Sequence, residues 1–244
     1  MKKSLRCFVV LLGTTFTLSV YVALAPGAYA QPAVVPYFSI HSDSGTYGGY
    51  QATADDFQLG ADGKTWEMIG SRYYALGSVA HVWIEEMKFD TDPLIYGNYL
   101  VQNNTLVNQI YTVGFSIPTT WAAPNLIRGS IDTSVIGTSA TISTVAPTAI
   151  YQAQIDGVTV ETLQDHLFTL STPQSAVSQG ASFGFQLNNI AVTSNIGILL
   201  RFELTPGDTA AIISDFEIIA VPEPGTLVLL LLGGGILALR RQRR

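Results

Sequence analysis

The sequence predicts an all-β protein: a β-sandwich or jelly-roll-like ectodomain over residues 31–221, flanked by a cleavable signal peptide (1–30) and by a C-terminal transmembrane helix within 222–244. Three observations lead there. Apolar and polar residues alternate at period two in several short runs, turn signals separate those runs, and no stretch between residues 31 and 221 sustains a 3.6-residue apolar stripe long enough for a helix.

In chain order, Lys2, Lys3 and Arg6 form a basic start, residues 8–25 an apolar segment, and Ala28-Tyr29-Ala30 a small-x-small cleavage site before Gln31. That is the layout of a secretory signal, with Ala28 and Ala30 as its cleavage residues. Cys7, the single cysteine, lies at the start of the apolar segment and not at a cleavage junction, which argues against a lipoprotein signal. Its removal leaves an exported chain without disulfides, held by its core and its hydrogen-bond ladders.

The alternation is plainest where Tyr111, Val113, Phe115 and Ile117 are interleaved with Thr112, Gly114 and Ser116, which puts every apolar side chain on one face of a strand. Phe183, Phe185 and Leu187 repeat the pattern. Residues 196–204 and 212–219 carry apolar residues on both faces for part of their length and are expected in central strands. Asp156-Gly157, between residues 151–155 and 158–161, has the spacing of a two-residue type I′ hairpin, in which both central residues need positive φ. Asp62-Gly63, Asn103-Asn104 and Pro206-Gly207-Asp208 read as further turns. Short strands at this spacing mean a two-sheet fold of one domain.

Residues 31–221 hold 5 Lys and Arg against 17 Asp and Glu, a net charge near −12. That balance argues against nucleic acid and anionic lipid as partners, which such a surface repels. Charged residues are 12% of the chain, about half the usual share, as suits an extracellular β-protein.

The C-terminus has three parts: Pro222-Glu223-Pro224, an apolar run over residues 225–239, and a basic tail (240–244) carrying Arg240, Arg241, Arg243 and Arg244. As a helix the run spans roughly 22 Å, short of a ~30 Å hydrocarbon core, so it needs snorkelling arginines or local thinning to cross. The arginines orient it with its end in the cytoplasm. The prolines uncouple the domain from the membrane segment.

These three parts, in this order and at the chain end, resemble the PEP-CTERM protein-sorting domain. The resemblance implies recognition by exosortase, a membrane transpeptidase thought to cut near the P-E-P tripeptide, with transient residence in the inner membrane, the ectodomain in the periplasm, and then delivery to the cell surface or extracellular matrix. It also implies a bacterial host that makes exopolysaccharide. Ala54-Asp55-Asp56-Phe57, followed by Trp66 and Tyr73-Tyr74, resembles a structural opening segment of such surface domains; Asp55 and Asp56 are expected in turn or strand-end hydrogen bonds.

Chemistry is sparse. There is no G-x-S-x-G elbow, no H-E-x-x-H and no phosphate-binding glycine pattern. The spacing of His41, His81 and His166 neither forbids nor suggests a zinc site, and each reads as an ordinary surface or half-buried histidine. Glu85-Glu86 with Asp90 and Asp92 is the densest acidic cluster, but on a regular strand Glu85 and Glu86 point to opposite faces and cannot form a glycosidase pair. The lone Asp90-Thr91-Asp92 is a thin basis for a calcium site. Tyr47, Tyr50 and Trp121, in loop-like surroundings, are the candidates for stacking on a sugar. Asn103-Asn104-Thr105 matches a glycosylation sequon.

The expectation is therefore an exported surface or matrix protein with a structural or adhesive role linked to exopolysaccharide and biofilm, with no catalytic residue, metal or cofactor assigned. Its rivals are a glycan-binding, lectin-like module and a glycan-processing enzyme.

Overall fold

The computed structural model describes residues 35–43, 49–165 and 167–221. Among them are sixteen strands: β1 (Tyr37–Ser42), β2 (Tyr50–Gln51), β3 (Phe57–Leu59), β4 (Thr65–Met68), β5 (Arg72–Leu76), β6 (Ala80–Asp90), β7 (Leu94–Asn103), β8 (Gln109–Pro118), β9 (Asn125–Ile136), β10 (Thr141–Thr144), β11 (Tyr151–Ile155), β12 (Val158–Leu163), β13 (Thr169–Ser171), β14 (Ala176–Asn188), β15 (Asn195–Leu204) and β16 (Thr209–Ala220). One 3-10 turn, Ala54–Asp56, interrupts them.

The strands form two antiparallel sheets. Sheet A runs β12-β11-β15-β8-β1-β2, with β10 also against β15 and β13 against β10; sheet B runs β14-β9-β16-β7-β6-β4-β3, with β5 also against β6. Period-two alternation explains how they share one core. Tyr111, Val113, Phe115 and Ile117 of β8 all point inward, as do Ile196, Ile198, Leu200, Phe202 and Leu204 of β15 and Ile212, Phe216 and Ile218 of β16. Both β15 and β16 are paired on each side, as expected of central strands. Even so, Ile213 on the outer face of β16 is 41% exposed, so that strand is covered on one face only.

The β11–β12 hairpin turns on Asp156 (φ 51°) and Gly157 (φ 77°). Among the described residues nothing lies within 4 Å of a side chain built at Gly157, so backbone conformation selects glycine there.

Three expectations are corrected. Phe183, Phe185 and Leu187 do not share a buried face: β14 is an edge strand with an irregularity between Phe183 and Gln186, so Phe183 packs on the core while Phe185 and Leu187 are exposed. Glu85 and Glu86 do not point to opposite faces. A bulge in β6, between β7 and the β4/β5 side, turns both to solvent between inward Ile84 and Met87. Asn103 is not an open turn residue. It is fully buried at the end of β7, and its Nδ2 donates to the carbonyls of Val107 (2.9 Å), Leu204 (2.9 Å) and Thr205 (3.1 Å). With its amide used in this way, the sequon at Asn103 is closed in the folded domain.

No helix among the described residues is long and apolar enough to cross a membrane. The expected signal peptide with Ala28 and Ala30, the helix over 225–239, and Arg240, Arg241, Arg243 and Arg244 lie outside the described residues, as do Tyr47 and His166.

Candidate functional site

The approach to the tail is well defined. β16 lies between β9 and β7, and its pairing continues to its last residue, where Ala220 faces Asn125. The Ile218 amide also donates to the Pro93 carbonyl at 2.9 Å. Only Val221 separates this strand from Pro222. A proline there cannot extend the ladder, because it has no N–H to give. Cutting at or beyond Pro222-Glu223-Pro224, which lie outside the described residues, removes no residue of the sheet.

Of the aromatic candidates, Tyr50 is committed to the fold. Its ring stacks on Tyr74 with centroids 3.6 Å apart and planes at 21°, and its hydroxyl donates to Asp56 Oδ2 at 2.8 Å. Burial raises the pKa of that hydroxyl well above its ordinary value. Asp56 also accepts from the Thr53 amide (2.8 Å) and hydroxyl (3.1 Å), the strand-end role expected of it. Partial burial works against its charge, yet the Thr53 and Tyr50 bonds outweigh it and lower the carboxyl pKa. Trp121 is half-buried against the core and bridges Val192.

The acidic residues serve turns. Asp62 accepts from the Thr65 hydroxyl (2.6 Å) and from the amides of Lys64 (2.9 Å) and Thr65 (3.0 Å), and these bonds, the hydroxyl first, bring its pKa down to about 2. Asp90 accepts from the Asp92 amide at 2.8 Å, and Asp92 pairs with Lys64 at 2.8 Å. Among the described residues, no group of three or more His, Cys, Asp or Glu is placed to hold a metal ion.

One surface was not anticipated. On the outer face of sheet B, Tyr73 of β5 pairs with Trp83 of β6, and Ala75 with His81, two pairs further along. Their rings meet: Tyr73–His81 and Tyr73–Trp83 centroids are each 5.3 Å apart and His81–Trp83 5.7 Å, with planes inclined at 54° to 85°. Tyr73 is 51% exposed. The legible signal was Gly77, whose φ of 55° serves the tight connection folding Arg72–Leu76 back on Ala80–Ile84. That register makes neighbours of residues ten apart.

Comparison with known families decides what the chain end is: the model for the PEP-CTERM protein-sorting motif matches residues 220–244, beginning at the last residue of β16. The chain carries a PEP-CTERM sorting motif. Such a motif marks an exported protein sorted to the surface or outside the cell by exosortase, a membrane protein. Curated proteins give no match. Among solved structures, TmCBM61 in complex with β-1,4-galactotriose resembles this PEP-CTERM protein with a TM-score of 0.29 and 13% identity, over 62% of this chain and 100% of that one.

Proposed function

We propose that this PEP-CTERM protein is a non-catalytic surface or matrix module, anchored transiently in the inner membrane, whose two-sheet ectodomain binds extracellular polysaccharide and gives it a structural or adhesive role. The observation that carries the reading is the junction at Ala220. The domain is complete where the sorting motif begins, so processing can release or transfer an intact fold.

Binding is favoured over turnover by the shape of the surface. Glu85 and Glu86 stand exposed on an open sheet face, whereas a glycosidase holds the scissile bond between two carboxyls that flank it. The aspartates at 56, 62 and 90 are committed to hydrogen bonds within turns. Tyr50 and Trp121 are packed against the core, so a stacking surface has to be sought elsewhere on the domain.

The test is genetic. Glu85→Gln, Glu86→Gln, Asp90→Asn and Asp92→Asn, one at a time, are expected to leave the host's surface or biofilm phenotype near wild type, whereas deletion from Pro222 onward reproduces the null. A single carboxylate variant that is folded and displayed yet matches the null would replace this reading with an enzymatic one.

A further inference from the structure

We infer that the outer face of sheet B binds an uncharged glycan chain, anchored on the Tyr73–Trp83–His81 ring cluster and running from there across β7, β16 and β9. The inference rests on the polysaccharide-binding reading above and says where, and for what sugar chemistry, that binding occurs.

The rings are the first reason. Three aromatic side chains that meet on the outer face of a sheet stabilise no core, and tilted rings with centroids 5.3 to 5.7 Å apart form an open wedge. A pyranose presents an apolar C–H face and an equatorial rim of hydroxyls, so it can lie on one ring while a second flanks it. His81 adds ring nitrogens within reach of a sugar hydroxyl.

The strand register supplies the second. Trp83 faces Leu100, Leu100 faces Ala211, and Ala211 faces Ser134. Beyond Leu100 this row is short-sided, with Ala211 and Ser134 standing between Ile213 and Asp132 on one side and Thr209 and Ile136 on the other. Beside this lane, past Ile213, lies a shallow depression lined by Ser130, Asp132, Gly180, Ser182 and Ile213. Five strands at ~4.8 Å spacing make the lane about 19 Å long, room for several sugar residues. Amides, hydroxyls and carboxylates along it offer the donors and acceptors that sugar hydroxyls need.

Charge selects among glycans. Glu86, Asp132 and Asp215 lie on this face, and the ectodomain as a whole is near −12. Uronate or sulfate polymers are repelled by such a face, while neutral ones are not. Tyr96 registers the local field: its hydroxyl pKa is raised by burial and then by Glu86 and Asp215.

The experiment is native affinity electrophoresis of the full chain in non-ionic detergent, through gels containing a β-glucan, a galactan, a mannan or, as the anionic polymer, alginate. We expect retardation by at least one neutral polymer and none by alginate. Tyr73→Ala, which removes an exposed ring, and Ser134→Arg, which raises a long side chain in the lane without touching the core, are each expected to weaken that retardation about tenfold at unchanged melting temperature. Retardation unchanged in both variants would place the site elsewhere and leave the polysaccharide reading standing. Retardation by alginate alone would overturn the neutral specificity. No retardation by any of the four would remove the polysaccharide reading itself.

Discussion

The hydroxyl of Tyr151, carried by sheet A, donates to the backbone carbonyl of Asp215 in sheet B at 2.8 Å, through a notch that Gly129 leaves open. A side chain at Gly129 would lie 2.5 Å from that hydroxyl and 2.9 Å from both the Asp215 oxygen and the Phe183 ring. The glycine is needed for close approach. With no cysteine after residue 30, pins of this kind between the sheets take the place of covalent ones.

Tyr151→Phe is therefore expected to cost about 1 kcal/mol in urea unfolding, and Gly129→Ala about 1–3 kcal/mol by overpacking. Tyr99→Phe is the control. Tyr99 is equally buried, but its hydroxyl has no hydrogen-bond partner among the described residues, so its loss is expected to be neutral or stabilising. Equal costs for the two tyrosines would show that the inter-sheet bond contributes nothing.

Asn103→Ala is expected to destabilise by about 3 kcal/mol, because it removes the donor to three carbonyls, two of them in the Leu204–Thr205 segment, from a fully buried position. Asn103→Asp, with nearly the same shape but no donor, is expected to be at least as harmful. A mild Asp variant would show that shape, and not hydrogen bonding, is what the site requires.

Asp156 accepts from the amides and hydroxyls of Thr193 (2.9 and 2.7 Å) and Ser194 (2.8 and 2.9 Å) and from the Asn195 amide (3.0 Å). What burial there is works against its charge, but these bonds, that from Asn195 foremost, prevail and hold its carboxyl pKa well below the ordinary range. A folded pKa below the unfolded one means stability present above about pH 4 and lost as the pH falls toward the folded value. Asp156→Asn keeps the positive-φ turn residue. It is expected to lower the melting temperature at pH 7, by a gap that narrows progressively as the pH falls below about 4 toward the folded carboxyl pKa; a gap independent of pH would refute the charge account.

The β-architecture was legible because period-two alternation reports burial directly, as at Tyr111 to Ile117, and because Asp156-Gly157, set at hairpin spacing between two such runs, calls for positive φ at both residues. What alternation cannot report is a bulge or a register. The extra residue at Glu85 rotates both glutamates outward, the irregularity after Phe183 turns Phe185 and Leu187 to solvent, and Tyr73 meets Trp83 only through the pairing of β5 with β6. Tyr50 looked like loop because of its glycine neighbours, yet its ring found Tyr74, which no local pattern encodes.

Chain ends offer a stability test. Ending the protein after Val221 is expected to leave its urea midpoint unchanged, whereas ending it after Glu217 removes buried Ile218, its bond to Pro93 and the last rungs to β9, and is expected to destabilise it clearly. Equal midpoints would mean that the end of β16 is dispensable.

Sorting by the segment beginning at Ala220 is measured most directly by following the full chain through membrane, surface and medium fractions after Pro222-Glu223-Pro224 is changed to three alanines. The variant is expected to fold and cross the inner membrane but to stay there at full length, while wild type is shortened and appears at the surface. A variant shortened and displayed like wild type would contradict sorting by this segment.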